Sequence, residues 1–293
     1  MIRKKMRCER MDDFMIKKIA LLLISCAVLC GCAQQIKGDD DKITVYASFY
    51  AMYDIAREIG GDCANVINMV APGIEAHDYE PSAMEIAKLG SADLFVYSGS
   101  GMEPWVGSVS ENIMDKVTVV NTGERINMEN IADAHTWLSP ELAVIQAQKI
   151  CDAMIGCDPE NEDIYTKNTA EFTAKAEKLQ ERLDSIAQNA KRAIVVSHKA
   201  FGYMGIEQVG IENEQGTGDP SPAKLAEVID YIKDNDVKYI FTTELEGEGA
   251  AKTAADETGA EIETLNTLEG DMQDRDYCTI MEENLDKIEK AVL

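Results

Sequence analysis

Histidine occurs three times in this 293-residue chain, at His77, His135 and His198. Neutral imidazole is the commonest protein ligand for transition metals, and its pKa near 6.5 also suits it to proton transfer. Three imidazole nitrogens joined by one carboxylate would make a closed tetrahedral zinc site. Three with an open fourth position would instead resemble a catalytic centre, in which zinc activates a water. A single histidine is more often a hydrogen-bonded polar residue than a ligand. The set says more than its members, because none lies in a helix interior and each stands in a loop beside a β/α element. No HExxH and no His-x-His pair occurs, so only the fold can assemble such a site.

From Lys42 onward, short apolar runs alternate with helical stretches. ITVYAS, ANVINMVA, DLFVYSG and KVTVVNTG read as strands; FYAMYDIAREIG and PSAMEIAKLGS, the second opened by Pro81-Ser82, read as helices. SPELAVIQAQKICDAMI begins on a Ser-Pro helix signal. After CDPENED, a polar helix is predicted from about Ile164 to Lys191, with Phe172, Ala176, Leu179 and Leu183 spaced three or four apart on one face. The alternation then resumes with strands AIVVSH, YIFTTE and EIETLN and helices PSPAKLAEVIDYIKDND, GAAKTAADETG and Tyr277 to Leu293. Strands alternating with helices imply parallel pairing. The fold expected is α/β, with two β/α lobes, each a mostly parallel sheet flanked by helices, bridged by one long rigid helix. Ligands of such sheets bind beyond the carboxyl ends of the strands. His198 ends the strand AIVVSH, His77 follows ANVINMVA by a short loop, and His135 lies in the loop before SPELAVIQ.

The formal charge of −25 argues against nucleic acid as a partner, since a polyphosphate needs clustered Lys and Arg to displace its counterions. Near the N-terminus, Lys17 and Lys18 precede IALLLISCAVLCGC, an apolar run of secretory length and short for a membrane span. It ends in Leu29-Cys30-Gly31-Cys32, which resembles a bacterial lipobox with Cys32 as the lipidated residue. Residues 1–14 form a charged preamble ahead of Met15, which looks like the better start. Beyond Cys32 remain Cys63, Cys151, Cys157 and Cys278. An oxidising compartment permits a disulfide, and Cys151 with Cys157 is the nearest pair. No CxxC is present, which speaks against a cysteine zinc site.

In their order, SFYAMYDIAREIGGD, VAPGIEAHDYEPSAMEIAKLGSADLFVYSGSGMEPW, AHTWLSP, VVSHKAFGYM, PSPAKLAEVIDYIKDNDVKYIFTTE and ETLNTLEG resemble the zinc-binding lipoproteins of the metal ABC-importer substrate-binding family. That family includes zinc-import receptors and adhesin-like metal receptors, and the resemblance covers residues 43–293. It implies His77 as first ligand, in Gly73-Ile74-Glu75-Ala76-His77-Asp78; His135 as second, in the His-x-Trp-Leu-x-Pro segment; and His198 as third, in Ser197-His198-Lys199-Ala200-Phe201. Manganese-selective relatives tend to carry glutamate at the third position. The fourth ligand maps onto Glu269 of Leu265-Asn266-Thr267-Leu268-Glu269, with Asp271, Asp274, Asp276 or water as alternatives. Members usually have Asp-Pro before the second histidine where this chain has Asp133-Ala134. Many zinc receptors carry a His-rich loop there, whereas residues 123–134 are acidic and short.

What the resemblance implies is no enzyme. It implies a monomeric extracytoplasmic receptor, anchored to the cell membrane through lipid on Cys32, that takes Zn2+ between its lobes and delivers it to an ABC permease with its ATPase. A manganese receptor or adhesin of the same family, and a zinc hydrolase, are the competing readings. Three nitrogens and one carboxylate suit zinc, while Mn2+ prefers more oxygen and higher coordination. The organisation expected is a signal peptide over 1–31, a lipid-anchored linker over 32–42, an N-terminal metal-binding lobe over 43–158, the bridging helix over 159–191 and a C-terminal metal-binding lobe over 192–293. Tyr50, Glu244 and Glu103-Pro104-Trp105 also match family positions and are expected to serve lobe packing. The acidic run 244–248 is expected to face solvent.

Overall fold

Two sheets of four parallel strands carry the fold. The computed structural model describes residues 42–71, 73–109, 115–124, 126, 133–212, 220–245, 249–270 and 275–293, all within one compact unit, Asp39–Leu293. The predicted signal peptide, Cys32 and the linker up to residue 41 lie outside the described residues.

The first sheet contains β1 (Ile43–Ala47), β2 (Ala64–Asn68), β3 (Leu94–Tyr97) and β4 (Thr118–Asn121), in the order β2-β1-β3-β4. The second contains β5 (Ile194–Val196), β6 (Gln208–Gly210), β7 (Tyr239–Thr243) and β8 (Glu261–Leu265), in the order β6-β5-β7-β8. Both sheets therefore reverse direction at their first strand, and the crevice at that switch point opens at the carboxyl ends. The central strands β3 and β5 are buried almost throughout, as helices on both faces require of parallel strands.

Among the described residues, seven α-helices flank the sheets: α1 (Tyr50–Gly60), α2 (Ala83–Leu89), α3 (Pro140–Cys157), α4 (Glu162–Asn189), α5 (Pro222–Asp234), α6 (Gly249–Thr258) and α7 (Tyr277–Val292). Their starts are written in the sequence. Ser82 makes a capping box with Glu85, Ser139 and Ser221 precede Pro140 and Pro222 and accept from the amides of Leu142 and Lys224, and Asp276 accepts from that of Thr279. The bridging helix α4 has 28 residues and buries Tyr165, Thr169, Phe172, Ala176, Leu179, Leu183 and Ile186. Those residues alternate steps of four and three, so they form one stripe, and the stripe packs on α1, α3 and α7.

One apolar core runs from the first sheet, under α4 and α7, to the inner face of the second sheet, where Ile194, Val196, Phe241 and Leu265 join it. A separate, smaller core of Val195, Ile211, Val228, Ile232, Ile240 and Ala254 lies between the outer face of that sheet and α5 and α6. Helix α7 ties the parts together: the Tyr277 amide donates to the buried Asp54 carboxylate on α1 at 2.6 Å, and the Tyr277 hydroxyl donates to the Trp137 carbonyl at 2.7 Å.

Two details depart from the sequence reading. β6 was not anticipated, because three residues ending in glycine at a sheet edge carry no periodic signal; His198 consequently lies between two strands instead of a strand and a helix. Among the described residues, the four cysteines form no disulfide with one another. Cys151 and Cys157 both lie on α3, where a rise of about 1.5 Å per residue sets them roughly 9 Å apart along the axis, beyond the reach of a disulfide.

Candidate metal centre

All four predicted ligands follow the carboxyl ends of strands, and the fold brings them to one place. His77 sits in a short 3-10 turn, Ala76–Asp78, after β2. Tyr79 seats that turn by packing edge-on against Trp105, their ring centroids 6.2 Å apart. His135 precedes the turn Thr136–Leu138 after β4. Its neighbour Trp137 is fully buried, lies edge-on to Phe49 and donates its indole N–H to the Thr267 carbonyl at 2.7 Å. His198 follows β5 by two residues and is fixed by the backbone, with Ser197 N–H donating to Phe241 at 2.7 Å and Ala200 N–H to the His198 carbonyl at 3.1 Å.

Glu269 is presented on a strained turn after β8. Leu268, fully buried, adopts φ +59°, a conformation that bulky side chains avoid. The turn is held by its neighbours: Leu268 N–H donates to Asn266 Oδ1 at 2.8 Å, Asn284 bonds both the amide and the carbonyl of Asn266, and Glu244 accepts from Thr267 N–H at 3.1 Å. A strained backbone persists where its surroundings over-determine it.

The other three groups approach His135 Nε2. His77 Nε2 lies 3.0 Å from it, His198 Nε2 3.4 Å and Glu269 Oε1 3.5 Å. The ligand atoms of the three histidines all lie within 4.8 Å of one another. A tetrahedral ion bound at 2.0–2.1 Å separates its ligand atoms by about 3.3 Å, close to the three separations from His135 Nε2. Asp276, an alternative fourth ligand, is engaged as the N-cap of α7; Asp271 and Asp274 lie outside the described residues.

Both histidines from the wider loops are backed by a carboxylate. His135 Nδ1 is 2.7 Å from Asp133 Oδ1, and His198 Nδ1 is 2.7 Å from Glu212 Oε2. In the neutral, metal-binding form, with the proton of each ring on Nδ1, the Nε2 lone pairs face the centre. The sequence reading did not name Asp133 or Glu212 for this task. Asp133, two residues before a candidate ligand, carried a local signal; Glu212 becomes a neighbour of His198 only through the pairing of β6 with β5.

Electrostatics match the geometry. Burial opposes the charge on His135, but Asp133 and Glu269 outweigh it and push its pKa up to about 9. Burial would also raise the Glu269 carboxyl; the hydrogen bond and charge of His135 hold it below its ordinary value instead. His77 is held below the usual imidazole range, chiefly by burial. A cation at the centre would take over the charge balance of that His135–Glu269 pair. Glu269 Oε2 is buried with no hydrogen-bond partner, an expensive state for a carboxylate oxygen that a metal ion relieves.

The other family-matched residues are structural. Tyr50 O–H donates to the Arg275 carbonyl, and the buried Glu103 carboxylate accepts from Ser48 Oγ and the amides of Ser98 and Gly99. Glu244 is the exception to the solvent-facing role expected for 244–248, since it turns inward onto Thr267; 246–248 lie outside the described residues.

Comparison with known proteins agrees with this architecture. The high-affinity zinc uptake system protein ZnuA of Bacillus subtilis is 34% identical over 282 residues, covering 86% of this chain and 88% of the relative. The zinc-binding lipoprotein AdcA of Streptococcus pneumoniae is 31% identical over 307 residues, covering 94% of this chain; the chain spans 61% of that relative's length. The crystal structure of the Zn(II)-bound ZnuA-like domain of the pneumococcal protein superposes with a TM-score of 0.76 at 31% identity, over 86% of this chain and 99% of that domain. A family model described as "ZnuA: Zinc-uptake complex component A periplasmic" matches residues 45–291. With its two parallel sheets, its bridging helix and that match over nearly all the described residues, the chain belongs to the ZnuA family.

Proposed function

We propose that the chain is an extracytoplasmic receptor that captures Zn2+ with His77, His135, His198 and Glu269 and hands it, as cargo, to an ABC permease with its ATPase. It acts as a monomer held at the cell membrane by lipid on Cys32, after removal of residues 1–31. Residues 43–158 and 192–293 are the two metal-binding lobes and 159–191 the bridge. The observation that carries this reading is a cluster of three imidazoles whose ligand atoms lie within 4.8 Å of one another, with a Glu269 carboxylate oxygen 3.5 Å from His135 Nε2. Nitrogen-rich, four-donor sites favour zinc over manganese. The charge balance, the names of the relatives and the extracytoplasmic family description point the same way.

Hydrolysis would need an open fourth position and a base beside it. In this reading the Glu269 carboxylate, 3.5 Å from His135 Nε2, takes that position, and the family model describes a zinc-uptake complex component.

The test is metal analysis of the purified protein with competitive Zn2+/Mn2+ titration, on wild type and on Glu269→Ala. One tightly bound zinc, weak manganese and a clear loss of zinc affinity in the variant are expected. Manganese bound as tightly as zinc would overturn the cargo assignment, and an unchanged variant would remove Glu269 from the ligand set.

A pH dependence follows. Zinc needs a neutral His135 ring, whereas the metal-free protein keeps that ring protonated up to about pH 9. Binding therefore expels a proton, and affinity falls as pH falls: about tenfold per unit, hence about 100-fold from pH 8 to pH 6. Calorimetry at pH 7 in two buffers of different ionisation enthalpy should read about one proton released per zinc from this group. A value near zero contradicts the charge state assigned to His135.

A further inference from the structure

We infer that Asp133 and Glu212 are the positioning residues of the centre: they pin the loop of His198 from both ends and fix its spacing from His135 before zinc arrives. The inference rests on the zinc-receptor reading above and adds to it the means by which two loops from different sheets are aligned.

The geometry is a closed circuit. Asp133 Oδ1 accepts from both the backbone N–H and the Nδ1 of His135, at 2.9 and 2.7 Å. Its other oxygen, Oδ2, accepts from Gly202 N–H at 2.9 Å, four residues past His198 in the opposite lobe. The hydroxyl of Tyr203 donates to the Asp133 carbonyl at 3.0 Å. At the other end, Glu212 Oε2 takes His198 Nδ1 at 2.7 Å while Oε1 accepts from Lys199 N–H at 3.1 Å. Glu212 is itself tied back by its N–H to the Ser197 carbonyl at 3.1 Å. Residues 197–203 are thus held at their start by Glu212 and at their end by Asp133. Each carboxylate uses one oxygen to orient an imidazole and the other to fix the loop that bears His198.

Two consequences follow from ordinary hydrogen-bond chemistry. A carboxylate has no proton to give, so each ring, once neutral, must keep its N–H on Nδ1 and present a free Nε2 to the centre. With both rings and the loop between them fixed, the His135–His198 separation of 3.4 Å is set in advance, and zinc does not bear the ordering cost of bringing the lobes' ligands into register. An amide in place of either carboxylate keeps the size but presents an N–H to a donor or weakens the acceptor.

The experiment measures zinc affinity by chelator competition, and the visible ligand-field spectrum of Co2+, for wild type, Asp133→Asn, Glu212→Gln and the control Ser221→Ala, which removes the side-chain cap of α5. Each carboxylate variant is expected to bind zinc about 10- to 100-fold more weakly with an altered Co2+ spectrum, while Ser221→Ala loses stability and keeps wild-type affinity and spectrum. The spectrum reports the arrangement of ligands, which a loss of stability alone does not change. If Asp133→Asn does not fold, Glu212→Gln carries the test alone. Zinc affinity within threefold of wild type and an unchanged spectrum in the folded variants would overturn the inference. A wild-type protein that binds no zinc would overturn the receptor reading itself.

Discussion

Replacing His135 by alanine is expected to weaken zinc binding by roughly 100- to 1,000-fold. The estimate divides the apparent binding free energy of a four-ligand structural zinc site, about 10–16 kcal/mol, among its ligands, giving about 2.5–4 kcal/mol for one. His135 belongs at the upper end, because its Nε2 is the atom on which His77, His198 and Glu269 all converge. Its loss also strips Asp133 and Glu269 of their shared partner and leaves two buried carboxylates facing each other. Competition with a chromophoric chelator at fixed pH reads the change. A loss below tenfold would mean that the other three groups hold zinc alone.

Trp137→Ala is expected to cost about 3–5 kcal/mol of folding stability, the range for emptying a buried aromatic site. For a chain of this size that is roughly 6–20 °C in melting temperature. Trp137 is fully buried between Phe49 and the His135 ring, and its indole N–H is the donor that satisfies the Thr267 carbonyl. Trp137→Phe separates the contributions, since it keeps most of the apolar volume and loses the hydrogen bond, about 1–3 kcal/mol for the carbonyl left without its donor. Because Thr267 opens the turn that presents Glu269, zinc affinity should fall in both variants. Urea unfolding followed by circular dichroism gives the first quantity and zinc titration the second. A Trp137→Ala protein as stable as wild type would show that the indole fills no essential space.

The elements that place these side chains were largely legible, for reasons that lie in single residues. Ser82, Ser139 and Ser221 open helices because their hydroxyls satisfy first-turn amides, and Pro140 and Pro222 sit where a missing N–H costs nothing. The bridging helix was visible from Phe172, Ala176, Leu179 and Leu183, and the same stripe extends to Tyr165 and Ile186. Histidine was rare enough for the three to draw attention as a set. Glu269 was not legible that way: among 53 acidic residues it was singled out by resemblance, and what distinguishes it physically is a buried turn at positive φ that no local pattern announces. Glu212 was hidden more deeply still. It reaches His198 only because Gln208–Gly210 pairs with Ile194–Val196, and a three-residue edge strand leaves no trace in hydrophobic periodicity.

The shared core also dictates an order of assembly. Helix α7 supplies Tyr277, Ile280, Met281, Leu285 and Ile288 to the interior that the first sheet and the bridging helix line, and the amide at its start satisfies Asp54, more than two hundred residues earlier. Until residues 277–292 have been synthesised, that interior is open along one side and Asp54 keeps Arg57 but lacks its partner amide. A chain emerging N-terminus first therefore cannot finish its first lobe in advance of its second. Premature folding of the leading half is disfavoured, which suits the proposed export of the polypeptide.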